Sequence, residues 1–305
     1  MYFYRNGNYT VCITDDGTKT RRCDHRKLQP SYPECVDVSI TQKCGLGCKF
    51  CFANCTPDGV HADIMSYKFL DTLQYYTEVA FNGNDLDHPQ LIEFLQKLKE
   101  RKVFANMTVN QAQFMVNLGK IMELVDKKLI YGVGVSYSHY NDEFIREFKK
   151  FDNGVLHVIN GIVNTTDLFR LQGLGLKLLI LGYKDIGRGA WFMDENKDMI
   201  EVYQKNLCVE LPKIISSNMF KAVSFDNLAI RQLNVRNLMS EDDWEEFYMG
   251  DDGDFTFYID LVNGTFSKNS CETKRKYTIG DKTIDAMFET IKEEKYGKQI
   301  RTDSV

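Results

Sequence analysis

The chain has 305 residues, 43% of them hydrophobic and 27% charged, and a formal net charge of −5. This balance describes a soluble globular protein with a substantial core, long enough for one large domain or two small ones. No stretch reaches the roughly 18 consecutive apolar residues of a membrane span, and the first residues lack a signal-peptide core, so a cytoplasmic protein with no membrane partner is expected. Lysines and arginines are dispersed rather than striped, which argues against a nucleic-acid partner. Nine cysteines in a cytosolic chain of this length are free thiols or metal ligands, not a disulfide framework.

Residues 1–22 alternate around the turn signals Asn6-Gly7-Asn8 and Asp15-Asp16-Gly17, which predicts a small hairpin or meander within an N-terminal region of 1–35. From Val36 onward, short apolar runs alternate with helix-period segments. The runs are VDVSIT (36–41), EVAFN (78–82), VFANMTV (103–109), YGVGVSY (131–137), VLHVIN (155–160), LKLLIL (176–181) and KAVSF (221–225). Among the helical segments, PQLIEFLQKLKERK sets Leu91, Phe94, Leu95 and Leu98 on one face. Repeated strand–helix units imply parallel pairing through right-handed crossovers, so the fold class is α/β. We read 36–226 as a partial (β/α)6 TIM-like barrel; a doubly wound open sheet satisfies the same alternation. In either architecture ligands gather at the C-terminal ends of the strands. The remaining 227–305 read as a C-terminal hairpin-plus-helix appendage: an acidic stretch, two alternating runs joined at Asn263-Gly264, and a helix over 281–295.

The loop after Thr41 holds CGLGCKFC, with Cys44, Cys48 and Cys51 inside eight residues. The uneven spacing and the lack of a nearby fourth soft ligand at zinc spacing fit a cubane iron–sulfur cluster with one iron left open. Gly45 and Gly47 let such a loop bend tightly around an inorganic core.

This CxxxCxxC motif at the mouth after the first barrel strand, with Phe50 just before the last cysteine, resembles the radical S-adenosylmethionine (SAM) superfamily. The β/α series over 36–225 is similar to that family's partial barrel. The resemblance implies an enzyme in which Cys44, Cys48 and Cys51 hold one 4Fe-4S cluster, the open iron binds SAM, and reductive cleavage gives methionine and a 5′-deoxyadenosyl radical that takes hydrogen from a substrate. It also implies an electron donor such as flavodoxin or ferredoxin.

Position by position, the resemblance sets Phe50 against the adenine. Asn82, Gly83, Asn84 and Asp85 stand where the family carries a Gly-Gly-Glu-Pro-like segment for the methionine amino group, followed here by His88-Pro89. The glutamate is missing, and Asn84 or Asp85 replaces it. Ser136 lies at the ribose position, and Asn110 and Asn160 end strands at the same mouth. Lys184 and Arg188 are candidates for the methionine carboxylate or an acidic substrate. No catalytic residue is assigned beyond Cys55 and Cys271, candidate hydrogen donors; Cys12, Cys23, Cys35 and Cys208 read as ordinary thiols, and His61 and His139 as structural.

The extension is similar in layout to that of peptide-modifying members, yet only Cys271 follows Cys208, so it is expected to be cluster-free. A peptide or protein is the leading substrate class. A small molecule or nucleotide precursor is the alternative, and a non-catalytic iron–sulfur or zinc protein the other class. The eight carboxylates within 241–254 favour basic or neutral substrates.

Overall fold

Short runs of alternating polarity at the N-terminus pair as β1 (Tyr2–Asn6), β2 (Tyr9–Ile13) and β3 (Lys19–Cys23), an antiparallel three-stranded sheet of its own. The structure, a computed structural model, describes residues 1–24, 27–81 and 85–302, apart from the side chains of Asp85 and of residues from 296 onward.

Each of the apolar runs forms a strand: β4 (Cys35–Ser39), β5 (Glu78–Phe81), β6 (Phe104–Asn110), β7 (Gly132–Ser136), β8 (Gly154–Ile159), β9 (Lys177–Leu181) and β10 (Ala222–Phe225). They pair parallel in unbroken chain order, without the reversal that a doubly wound sheet requires. The crossovers carry α1 (Leu91–Glu100), α2 (Gln111–Val116), α3 (Leu118–Asp126), α4 (Asp142–Phe148), α5 (Thr165–Arg170) and α6 (Arg188–Ser216). In α1 the anticipated face, Leu91, Phe94, Leu95 and Leu98, is buried.

Two differences from the sequence reading stand out. The first crossover has no α-helix: two short 3-10 turns, Ile64–Ser66 and Lys68–Thr72, bury Ile64, Phe69 and Leu70 instead. The cysteine loop occupies residues 42–60 of that connection, and these turns occupy the part that follows. The C-terminal hairpin, in turn, is part of the main sheet and not laid over it. After α7 (Asn227–Gln232) and α8 (Glu241–Phe247), strand β11 (Thr256–Asp260) pairs parallel with β4, and β12 (Thr265–Ser267) and β13 (Tyr277–Thr278) extend it antiparallel. The ten-stranded sheet ends at β10 and β13, with no hydrogen bonding between them. The last helix, α9 (Ile284–Thr302), packs Met287, Phe288 and Ile291 into the core. Among the described residues no helix is long and apolar enough to cross a membrane.

The period-2 alternation of the parallel strands sorts their residues. Val36, Val38, Val79, Met107, Val135, Leu156 and Leu178 join the apolar core. Asp37, Ser39, Ala80, Thr108, Ser136 and His157 face one cavity on the other side.

The N-terminal sheet covers the opposite, N-terminal ends of these strands. Tyr2 meets Phe104 edge-on with ring centroids 4.9 Å apart, and the Tyr131 hydroxyl donates to the Thr14 carbonyl. At the centre lies Glu34, 1% exposed, which accepts from Tyr9 Oη (2.7 Å) and from Arg21 Nε and Nη2 (2.9 and 2.7 Å). Lys19 lies 3.4 Å from Glu34 and pairs with Glu78. Burial alone would raise the Glu34 carboxyl; the hydrogen bonds from Arg21 and the charges of Lys19 and Arg21 outweigh it and hold it below the ordinary carboxylate range. Glu34→Ala leaves two largely buried cations short of a counter-charge, so we expect stability to fall by about 3–5 kcal/mol, read as a lower urea midpoint. With its folded value depressed, Glu34 contributes fully above about pH 4.3, the usual glutamate value, and loses that contribution as pH falls through the folded value. Wild type should therefore lose stability on acidification more steeply than Glu34→Gln. An unchanged midpoint in both variants would refute the network's role.

Candidate functional site

The C-terminal ends of the parallel strands and the loops beyond them enclose a cavity of about 940 Å³. The cysteine loop forms its rim. Backbone pairing ties the loop to its own base: Cys44 N–H donates to the Thr56 carbonyl (2.8 Å), Thr56 N–H to Gln42 (3.0 Å) and Gln42 N–H to Val60 (2.9 Å). Gly47 takes φ +62°, the left-handed turn that its position in the motif predicts, whereas a Cβ on Gly45 or Gly47 would meet no protein atom within 4 Å.

Arg188, the first residue of α6, fastens the other side. Its N–H donates to the Cys51 carbonyl (3.1 Å), its Nε to Cys48 (3.0 Å) and its Nη1 to Cys55 (2.9 Å). The preceding Gly187, at φ +58°, brings the two loops so close that a Cβ would lie 2.4 Å from the Phe52 carbonyl oxygen. Arg188 is therefore spent on the loop's backbone and does not line the cavity, unlike the carboxylate-binding role expected of it.

Cys44, Cys48, Cys51 and Cys55 all line the cavity. A hydrogen bond from Cys55, acting against burial and helped by Arg188, draws the Cys51 thiol down to about 5. Cys48 is pushed up by burial and then by the charges of Cys51 and Cys44, so these thiols lie close enough to oppose one another's ionisation. Among the described residues no three or more His, Cys, Asp or Glu side chains converge as a single ion would require. That does not disqualify the set for a cubane, which takes each thiolate on a different iron at a separate corner. Three thiols on one open-sided loop are the donors such a cluster needs.

Phe50 lines the cavity and meets Phe192 edge-on at 5.9 Å. Asn82, Gly83 and Asn84 lie outside the described residues, as does the side chain of Asp85. His88, just beyond, is buried and bonded through Nε2 to the Ala62 carbonyl (2.9 Å). His61 Nδ1 meets Thr41 Oγ1 at 2.8 Å, and His139 Nδ1 meets Ser138 Oγ at 3.0 Å. Ser136 and Asn110 reach the cavity, although the Asn110 amide oxygen also caps α2 through Ala112 N–H (2.8 Å). Asn160 does not reach it. It follows Ile159, which faces the cavity, so strand alternation turns it away to donate to Gln232 Oε1 (3.1 Å). Lys184 lines the cavity, with Nζ on Ser270 Oγ (2.8 Å) and 3.8 Å from the centre of the Phe52 ring. Cys55 and Cys271 both lie in the wall; burial raises the Cys271 thiol, and Lys184 partly opposes the shift.

Sequence reasoning passed over the cavity floor, Asp37, Thr108 and His157. The signal was present in the strand alternation: Asp37 shares its parity with Ser39 and Thr41, and His157 with Ile159. His157 is pushed down to about 4 by burial, so it stands neutral. From the C-terminal side come Tyr258 on β11, and Asp252, which accepts from Asn227 Nδ2 (3.0 Å) and Asn269 Nδ2 (2.7 Å).

No protein-family model matches the chain, and no curated protein matches it either.

Proposed function

We propose that this chain is a radical SAM enzyme built on a partial barrel, with Cys44, Cys48 and Cys51 as ligands of one 4Fe-4S cluster and a peptide or protein as substrate. The observation that carries this reading is the placement of all three cysteines on one loop, lining a large cavity at the C-terminal ends of parallel strands wound in chain order. When bound, the cluster supplies the electron that splits the SAM sulfonium into methionine and a 5′-deoxyadenosyl radical, which takes hydrogen from the substrate.

The chain's own residues supply the setting. Arg188 fixes the carbonyls of Cys48 and Cys55 and thereby the directions in which the thiols leave the loop. Phe50 offers an aromatic face for an adenine, and Ser136 and Asn110 offer hydrogen-bonding groups at the strand ends. An external reductant such as flavodoxin or ferredoxin would donate at the rim. The wall contributed by β11 and the 268–271 loop supports a peptide reading, because it places polar and ionic groups along one side of a cavity roomy enough for more than SAM.

Anaerobic reconstitution should give about four irons and four sulfides per chain, and brown protein. Replacing Cys44, Cys48 and Cys51 together by alanine should abolish both. Zinc in place of iron, or about eight irons, would overturn the single-cluster reading.

Arg188→Met removes two charge-assisted hydrogen bonds, each on the order of 1.5–3 kcal/mol, from the loop that presents the thiols. We expect iron retention after desalting to drop well below wild type while the circular dichroism spectrum is unchanged. Equal retention would show that the loop needs no such fastening.

With reductant and SAM, deuterated peptides should pass deuterium to 5′-deoxyadenosine, and deuterated nucleosides should not. Transfer from nucleosides alone would move the substrate class to nucleotide precursors.

A further inference from the structure

Asp37 sits in the middle of β4, four residues below Thr41, its carboxyl exposed to the cavity and surrounded by the strands and loops that enclose it. Among the described residues no donor hydrogen-bonds to that carboxylate and no cation pairs with it. Its neighbours are all engaged. Asp226 accepts from Gly182 N–H (2.9 Å) and Ala229 N–H (2.7 Å); Asp252 holds two amides and lies 3.6 Å from Arg231. Lys184 is held by Ser270 and the Phe52 ring, and Lys268 pairs with Glu272 at 3.3 Å.

A carboxylate lining a cavity with no hydrogen-bond donor and no ion-pair partner among the described residues gains from a cation brought in from outside; Lys184, whose charge acts on it, is itself held on Ser270 and the Phe52 ring. We propose that Asp37 is the counter-ion for a cationic side chain of the substrate, a lysine ammonium or an arginine guanidinium carried into the cavity on a peptide. This rests on the reading above only in taking the ligand to be a peptide; the binding itself needs no cluster.

The surroundings reinforce the choice of sign. Asp226, after β10, and Asp252, before β11, add negative potential at Asp37, and Lys184, after β9, opposes them. The remaining titratable neighbours, Cys35 on β4 and Tyr258 on β11, both have their ionisation pushed up by burial and stand neutral. Desolvation, with Lys184 opposing and the two aspartates adding, raises Asp37 to about 6. The carboxylate is therefore charged above that pH and lost as pH falls through it, while lysine keeps its charge throughout. Affinity for a cation should rise between pH 5 and pH 7.5.

The test uses the full chain, both iron-free and reconstituted, titrated with N-acetyl-lysine methylamide and with N-acetyl-norleucine methylamide, which keeps the four-carbon chain and lacks the ammonium. At pH 7.5 we expect the lysine compound to bind at least about tenfold more tightly, a preference that collapses at pH 5 and in Asp37→Asn. The variant should melt no lower than wild type at pH 7.5, since it removes a destabilising charge, and should keep the iron content of wild type. If the variant does not fold, the pH comparison on wild type decides alone. Equal binding of the two compounds at pH 7.5, a preference unchanged at pH 5, or one that survives in a folded Asp37→Asn overturns the proposal. Lysine preference in a protein that takes up no iron would sink the enzyme reading and leave this one standing.

Discussion

Parallel strands laid side by side in chain order turn every second residue toward the same space, and that constraint governs the rest of the molecule. One residue of parity decides whether a side chain packs under a helix or lines the cavity. In β4, Val36 and Val38 are fully buried in the core while Asp37, between them, opens to the cavity. A register slip of one residue would drive Asp37 into the helix layer and expose the valines, so the apolar parity that stabilises the sheet also fixes the polar parity of the site. The interior of a closed barrel is commonly filled by bulky branched side chains. Here Ala80, Thr108 and Ser136 keep the inner positions of β5, β6 and β7 small, and space remains, bounded on the β8 and β9 side by Ile159, Leu179 and Leu181.

The N-terminal sheet holds the other end of the strands. Its aromatic residues cover the strand starts, and Glu34 gathers Tyr9, Arg21 and Lys19 into one buried network. Such a network is only modestly stabilising in net terms, because burying the charges is itself expensive. It is directional, however. It locks the small sheet onto the ends of β4 and β5, between which Lys19 bridges Glu34 and Glu78, and so closes the cavity below.

What the sequence makes legible follows from range. The seven apolar runs, the face of α1 and the cysteine loop are local patterns, and each appears where the pattern puts it. Features set by distant partners are not legible in that way. The pairing of β11 with β4 joins residues more than two hundred positions apart, and no local signal announces it. Arg188 looked like a free cation near a mouth because its three carbonyl partners on the cysteine loop lie far away in the chain. Asn160 and Asp37 failed differently: their parity was readable, but strand ends attract attention and strand interiors do not.

Depth connects the two ends of the site. Four residues separate Asp37 from Thr41, which at about 3.3 Å per residue puts the carboxylate roughly 13 Å beneath the rim. The cysteine loop begins just beyond Thr41, so its thiols line the cavity at the rim while Asp37 lines it at the floor. A long basic side chain paired with Asp37 would set its own backbone inside the cavity, partway between the floor and the rim and beside the β11 wall. On the proposed reading, anchoring at the floor would fix which carbons of a flexible ligand lie within reach of the cysteine loop, without requiring the mouth to grip them.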